Sequence, residues 1–413
     1  MQNVFDILQE RGYIYQTTHE EDIKKALSST EPITFYLGID PTADSLHIGH
    51  FFALMMFRYL QDAGHKGILV IGGATALIGD PSGKSDMRKM LTKEQVSHNV
   101  QEVKELSSRF IKTDGDNPAT ILTNAEWINP YSFVDFMRDV GIHFNVNTML
   151  QADAYSKRLE QGGLTFLEMG YMLMQSYDFV YLNKTYGCTL QIGGSDQWGN
   201  IVAGTNLGRK QDFINNNKRD TMYGLTCPLL MTKEGKKMGK TESGTLWVAR
   251  EKTTVFDFYQ YFYNVDDTDT EMLLRLFTRV PLNEIESLCK NDIREAKRLM
   301  AYEITKLVHG IEEADKVLET VKEIFDNNNS ANNMPSIKIN KELIEKGISI
   351  IDLLVSCNFV SSKSEGRRLI QQGGISVNNI KVDNIEHIIS LSDIKDNHLI
   401  LKRGKKNYLK VLL

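Results

Sequence analysis

"ITFYLGIDPTADSLHIGH", residues Ile33–His50, passes in eighteen residues from an apolar run to a rigid turn to the start of a helix. Ile33–Ile39 has the length and aliphatic character of a strand buried on both faces. The Asp40-Pro41 step ends it, because proline has no N–H to give a sheet. After the small polar residues that follow, the segment behind His47 is helical, with His47 and His50 sharing one face. Three more runs look like the first: "GILVIGG" (Gly67–Gly73), "ATILT" (Ala119–Thr123) and "CTLQIGG" (Cys188–Gly194). Helical patterns follow His47 and Thr92 and fill Thr165–Leu182. Strands alternating with helices predict an α/β fold with a doubly wound, parallel, Rossmann-like sheet, which binds ligands at the carboxyl ends of its strands.

The chain of 413 residues is too long for one ordinary core. No apolar run is long enough to span a bilayer. The leader "MQNVFDILQERGYIYQ" lacks the pattern of a signal peptide, and Cys188, Cys227, Cys289 and Cys357 lie far apart without CxxC or zinc spacing. A cytoplasmic protein is expected, in a bacterial cytosol. Net charge is −5, which taken alone argues against a nucleic-acid partner. The charge is uneven, however. From Ser349 to Leu413 ten Lys and Arg face six Asp and Glu, so this end carries +4 and the rest −9. That suits either an appended module with an anionic partner or a solvated lysine-rich surface. "DNNNSANNMPS" (Asp326–Ser336) reads as a linker. Before it, from about Thr253, apolar positions recur at three and four, predicting an all-helical domain. After it a small, basic α+β module is expected.

Five stretches could carry chemistry. His47 and His50 could be a metal pair, a satisfied structural pair, or a site for anions, but no HExxH or cysteine cluster supplies further zinc ligands. A helix start offers N–H groups and a positive dipole end to phosphate. "GDPSGKSD" (Gly79–Asp86) is not a P-loop, since Ile78 stands where that motif needs glycine. It leaves a turn with Asp80, Lys84 and Arg88. "KKMGKTESG" (Lys236–Gly244) is either a mobile cationic loop suited to a polyphosphate or an ordinary surface loop. In "YMLMQSYD" (Tyr171–Asp178), Tyr171, Gln175 and Asp178 share a helix face, either as a ligand stripe or as a buried polar network. "QIGGSDQWGN" (Gln191–Asn200) ends a strand in glycines that permit close ligand approach, with Asp196 able to accept from ribose hydroxyls.

In this order the stretches resemble the class I aminoacyl-tRNA synthetases, and within them the bacterial-type tyrosyl-tRNA synthetase family. "HIGH" (His47–His50) matches the first class signature and "KMGKT" (Lys237–Thr241) the second, with Gly239 in place of serine. "YLGIDPTADSLHIGH", "GGATALIGDPSGK", "YMLMQSYDF" and "LQIGGSDQWGNI" look like family blocks. "SKSEGRRLIQQGGISVN" resembles an S4 RNA-binding module, with Gly366 where alanine is common. The resemblance covers almost the whole chain. It implies a catalytic domain over 1–228 with a dimer-interface insertion at about 125–165, and a signature loop over 229–250. An anticodon-side helical domain would follow over 251–326, then a linker over 327–336 and an S4-like domain over 337–413.

The implied chemistry is formation of tyrosyl-AMP and pyrophosphate from tyrosine and ATP, then transfer of the tyrosyl group to tRNA. The attacking carboxylate is already ionised, so positioning and positive charge do the work. By resemblance Thr42 and His47 bind the γ-phosphate end, and His50 and Gly49 lie at the ribose and adenine. Lys84, Arg88, Lys237, Lys240 and Thr241 gather round the pyrophosphate. Tyr36 and Asp178 meet the phenol, Asp80, Tyr171 and Gln175 the ammonium, and Gln197 the carboxylate. Gly194 and Asp196 hold the ribose, and Gly38 and Asp40 line the nucleotide. ATP is a substrate and brings Mg²⁺ with it, with no protein metal cage and no tightly bound cofactor. Lys363, Arg367, Arg368, Lys402, Arg403, Lys405 and Lys406 are the expected tRNA phosphate contacts. A homodimer is expected through Phe133–Leu150. The rival readings are a tryptophanyl-tRNA synthetase, and an RNA-binding protein on an inactive synthetase scaffold.

Overall fold

A computed structural model describes residues 3–82, 90–215, 221–235, 237–241, 244–325, 336–378, 380–395, 397–404 and 407–413. The chain forms two compact units, one of Met1–Ala249 with Met272–Asn283, the other of Arg250–Glu271 with Glu284–Leu413.

The first unit is built on a six-stranded sheet. Its strands are β1 (Gln16–Thr17), β2 (Thr34–Ile39), β3 (Lys66–Ile71), β4 (Thr120–Thr123), β5 (Cys188–Gly194) and β6 (Tyr223–Cys227). Their order is β1-β6-β5-β2-β3-β4. From β6 to β4 all pairs are parallel, so chain order reverses between β2 and β5. That is the topological switch point of a doubly wound sheet, where ligands bind. The expectation of a wholly parallel sheet needs one correction: β1 runs antiparallel to β6 at the edge. Two residues, glutamine and threonine, are too short and too polar for a periodicity to register.

The helices begin where the sequence offers caps. α1 (Ile48–Asp62) starts at His47, and α2 (Lys93–Ser108) at Thr92, whose hydroxyl accepts from Gln95 N–H while the Gln95 side chain returns to Thr92 N–H. α3 (Phe166–Tyr186) starts at Thr165 with the same reciprocal bond to Glu168. α4 (Trp198–Asn215) follows β5. Such capping boxes satisfy two of the N–H groups that a helix start leaves unpaired. α1 packs on one sheet face, with the Phe57 ring edge-on to Phe35 at 4.8 Å. α3 covers the other, where Phe179 and Val180 join Tyr36, Ile68 and Val70 in one core. Of the residues in β2 only Gly38 is exposed, so the strand is buried except where its carboxyl end opens.

In the second unit, helices Val255–Tyr263, Ile293–His309 and Ile311–Phe325 fill the region expected to be helical. Beyond the linker, of which only Ser336 is described, lies an α+β fold with its own core of Ile344, Leu353, Leu354, Ile370, Leu399 and Val411 among others. Its sheet runs Ile380–Lys381, Ile375–Val377, His398–Arg403, Asn407–Leu412, Ser336–Lys338. All pairs are antiparallel except the last. Gly366 is buried there, but a Cβ added to it would come no closer than 3.7 Å to Val360. Alanine would fit, so the departure at this position is neutral.

Candidate active site

The carboxyl ends of β2 and β5 carry the polar residues of the first unit. β2 runs into Asp40, and Thr42 N–H donates to the Asp40 carbonyl at 2.9 Å. Seven residues on, His47 caps α1. Its Nδ1 accepts from Gly49 N–H at 3.1 Å and His50 N–H at 3.3 Å, and His50 Nδ1 faces His47 N–H at 3.4 Å. The rings stack at 3.7 Å, 14° from parallel. With both Nδ1 atoms used as acceptors, the proton of each imidazole belongs on Nε2, which makes that edge a hydrogen-bond donor. Glycine at 49 leaves the His47 ring its place, since a Cβ there would stand 3.0 Å from the ring.

The second signature lies against the first. Met238 N–H donates to the Leu230 carbonyl, Leu246 N–H to that of Gly239 and Val248 N–H to that of Leu46. Trp247 forms an antiparallel bridge with His47. Gly239 has φ +80°, and a Cβ there would lie 2.4 Å from Ile48 Cγ2. Lys237 is exposed. Lys240 and Thr241 pair with Gly244 and Thr245 in a short ribbon, and their side chains lie outside the described part. Lys84 and Arg88 also fall outside the described residues.

Between the sheet and α3 a buried network runs through several expected residues and joins them to others. Tyr171 donates to Asp40 Oδ2 at 2.9 Å, and Thr75 to Asp40 Oδ1 at 2.7 Å. Asn124 Nδ2 donates to Thr75 Oγ1 and to Asp178 Oδ2, both at 3.0 Å. Trp127 Nε1 donates to Asp178 Oδ1 at 2.7 Å. Gly72 makes room for this, as a Cβ would come within 2.0 Å of Asp40 Oδ1. Burial raises the Asp178 carboxyl to about 7, the two donors opposing it and the Asp40 charge adding to it. Tyr36, one per cent exposed, sends its hydroxyl into the same region with no hydrogen-bond partner. Its phenol is held well above the usual range by burial first and by Asp178 second. The carbonyl oxygens of Gln175, and of Gln191, which is registered beside Tyr36 across the sheet, are also buried without partners. A buried polar atom left unpaired costs roughly 1–3 kcal/mol. Several converging on one slot mark a place built for a polar ligand.

At the neighbouring edge Gln197 Nε2 donates to Asp80 Oδ2 at 2.6 Å, and Asp80 Oδ1 accepts from Ser82 N–H. Gln197 Oε1 accepts from Asn200. Asp196 leans over Gly194, where a Cβ would meet its Oδ1 at 2.7 Å. Gly38 has open space on its Cβ side. So His47 with His50, Asp40 with Tyr171, and Asp80 with Gln197 are brought into direct contact.

Thr75, Asn124, Trp127 and Gln191 were not foreseen as site residues. Asn124 directly follows the run "ATILT" and Trp127 stands one turn further on, a strand-end position that could have flagged them. Thr75 lies inside the block "GGATALIGDPSGK", but nothing in that stretch singles it out. In the second unit Lys363, Arg367 and Arg368 are exposed on helix Lys363–Gln371. Lys363 pairs with Asp352 at 2.7 Å, and Arg403 lies 3.6 Å from Glu365. Lys402 sits over the Tyr408 ring. Lys405 and Lys406 lie outside the described residues.

The model of the family tRNA synthetases class I (W and Y) matches residues 28–326. The model of the tyrosine–tRNA ligase SYY-like C-terminal domain matches residues 326–411. The chain is 48% identical over 416 residues to the tyrosine–tRNA ligase of Clostridium kluyveri, with 100% of each chain covered. Its fold resembles that of a C-terminally truncated mitochondrial tyrosyl-tRNA synthetase from Coccidioides posadasii, at 30% identity and TM-score 0.67, covering 77% of this chain and 92% of that one. The Aspergillus nidulans counterpart gives 29% identity and TM-score 0.69, over 79% and 95%.

Proposed function

The chain belongs to the class I tRNA synthetases (W and Y), and from that premise we propose how its residues share the work of joining tyrosine to tRNA. The activity is that of a tyrosine–tRNA ligase: ATP and tyrosine give tyrosyl-AMP and pyrophosphate, and the tyrosyl group passes to the 3′ end of tRNA. The observation that carries the tyrosine assignment is the buried pair Tyr36 and Asp178. The Asp178 carboxylate accepts the substrate phenol proton, and the Tyr36 hydroxyl donates to the phenol oxygen. Phenylalanine would leave the buried Tyr36 hydroxyl unpaired and deny the Asp178 carboxylate a further donor, an effect for which this family's rejection of phenylalanine is the standing example.

Asp80, Tyr171 and Gln175 take the ammonium group. Two carboxylates, Asp80 and the Tyr171-bound Asp40, supply the negative field it needs. Gln197, braced by Asp80 and Asn200, faces the carboxylate. Gly38, Asp40, Gly194 and Asp196 line the nucleotide at the switch point. The cap that fixes the histidine tautomers makes each Nε2–H a donor at the start of α1. With Thr42 they meet phosphate oxygens as charge builds in the transition state. Gly49 leaves the ribose side accessible. Lys84, Arg88, Lys237, Lys240 and Thr241 neutralise the departing pyrophosphate. Mg²⁺ enters as part of the ATP complex.

The basic C-terminal fold is an S4-like module that holds tRNA phosphates through Lys363, Arg367, Arg368, Lys402, Arg403, Lys405 and Lys406, with the helices over 251–326 on the anticodon side. The catalytic part is 1–228, the signature loop 229–250 and the linker 327–336. The enzyme works as a homodimer through Phe133–Leu150, a reading supported by the exposure of Phe133 (70%) and Ile142 (75%). Among the described residues no helix is long and apolar enough to cross a membrane, which is compatible with work in the cytoplasm. The test is ATP–pyrophosphate exchange driven by tyrosine or by tryptophan. Exchange with tyrosine alone is expected, and exchange with tryptophan in its place would overturn the assignment.

A further inference from the structure

Thr75 lies in a short 3₁₀ turn (Thr75–Leu77) behind β3, two per cent exposed. Its surroundings fix the direction of every hydrogen bond it makes. Ala74 N–H donates to Asn124 Oδ1 at 2.8 Å, so the other end of that amide is the NH₂. Its two protons go to Asp178 Oδ2 and to Thr75 Oγ1. With a lone pair so engaged, the single Thr75 hydroxyl proton points to Asp40 Oδ1 at 2.7 Å. Tyr171 closes the other side of Asp40, and Trp127 the other side of Asp178. Each of these described hydrogen bonds to the two carboxylates comes from a donor, and one hydroxyl and one amide join them.

We propose that Thr75 is a positioning residue for amino-acid selection, orienting Asp40 directly and Asp178 through Asn124 so that both ends of the tyrosine pocket are set together. The proposal rests on the reading of Asp178 as the acceptor of the substrate phenol. Its physical basis is the low dielectric of the pocket. There two like charges repel, and removing or loosening a fixed donor raises the cost of ionising the carboxylate it served. The titratable groups facing Asp178 are Tyr36 and Asp40 from β2 and the turn behind it. From the segment after β4 come the neutral donors Asn124 and Trp127.

Thr75→Val keeps the shape and removes both bonds, whereas Thr75→Ser keeps them. In tyrosine-dependent ATP–pyrophosphate exchange, Thr75→Val should lower kcat/KM for tyrosine about tenfold, chiefly through KM. The KM for tyrosine should rise more than the KM for ATP, and the midpoint of the rise of kcat/KM with pH should move upward. Thr75→Ser should restore both quantities. If Thr75→Val does not fold, Thr75→Ala serves in its place. A merely structural residue would lower kcat and raise both KM values alike, with no movement of the midpoint and no advantage of serine. That result, or a hydroxyl-free variant with wild-type KM and midpoint, overturns the proposal. Asp178→Asn is measured alongside. If it leaves tyrosine KM and tyrosine-over-phenylalanine preference intact, the phenol assignment itself falls and takes the relay with it. If Asp178→Asn loses tyrosine while Thr75→Val changes nothing, the relay alone is wrong.

Discussion

The sequence carries glycine at position 239, where the second class signature usually carries serine. Restoring that serine should damage the enzyme. Gly239 has φ +80°, in the left-handed region, and the Cβ of any other residue would stand 2.4 Å from Ile48 Cγ2. The backbone share of the cost is about 1–2 kcal/mol. The overlap falls on a residue only 3% exposed, so it adds a further overpacking cost of about 1–3 kcal/mol. Together these reach the order of 3 kcal/mol, or roughly a hundredfold in the population of the loop seated against α1. The loop carries Lys237 and Lys240, so the rate of tyrosyl-AMP formation should fall by about ten- to a hundredfold in single-turnover measurements at saturating ATP and tyrosine. Gly239→Ala should behave like Gly239→Ser, because the defect lies in the Cβ and not in the hydroxyl. Ile48→Leu removes the branched methyl at nearly constant volume, and combined with Gly239→Ser it should recover the overlap share while the backbone share remains. A Gly239→Ser enzyme at the wild-type rate, or a double variant no faster than the single, would refute the reasoning.

Other outcomes follow from the same structure. Burial holds Asp178 at about 7, and only its ionised form accepts the phenol proton. kcat/KM for tyrosine should thus rise with pH through about 7, and the rise should be absent in Asp178→Asn. Arg158 and Glu168 form a buried ion pair at 2.9 Å with side chains 7% and 3% exposed. Arg158→Ala leaves a carboxylate without its cation and should cost about 3–5 kcal/mol, read as a lower midpoint in urea unfolding. The His65 ring is 3% exposed, and burial depresses its pKa. Its contribution to stability is present above the unfolded-state value of about 6.5 and is lost as pH falls below it. The thermal midpoint should drop more between pH 7.5 and 5.5 (assay conditions of about these values) in the wild type than in His65→Leu. Ending the chain after Asp326 should spare tyrosyl-AMP formation and abolish tRNA charging. Charging by the full chain should weaken steeply with salt as phosphate contacts are lost.

How much of this was legible depends on range. The turn from β2 through Asp40-Pro41 to His47 was readable because strand, breaker and cap are local and adjacent. The stripe of Tyr171, Gln175 and Asp178 was readable because helical period alone puts them on one face. Contacts inside one element or between neighbours in sequence are dictated by backbone geometry, and composition reports them faithfully. Asn124 and Trp127 were not readable as partners of Asp178, nor Thr75 as the link from Asn124 to Asp40. They meet only because β4 lies beside β3 in the sheet and α3 folds across both. The antiparallel edge of β1 escaped for a similar reason: two polar residues have no pattern, and their place is set by the free edge of β6.

The sequence by itself determined the alternating strands and helices, the capped starts of α1, α2 and α3, and the set of cationic and polar residues available for phosphate and amino acid. The tertiary structure alone decided which of them meet. It stacked His47 on His50 with each Nδ1 turned to a backbone N–H, seated Gly239 on Ile48, and tied Asp40 to Asp178 through Thr75 and Asn124. The physical reason is the same throughout. Local propensities act over a few residues, whereas buried polar groups must find partners wherever the packed sheet brings them within about 3 Å.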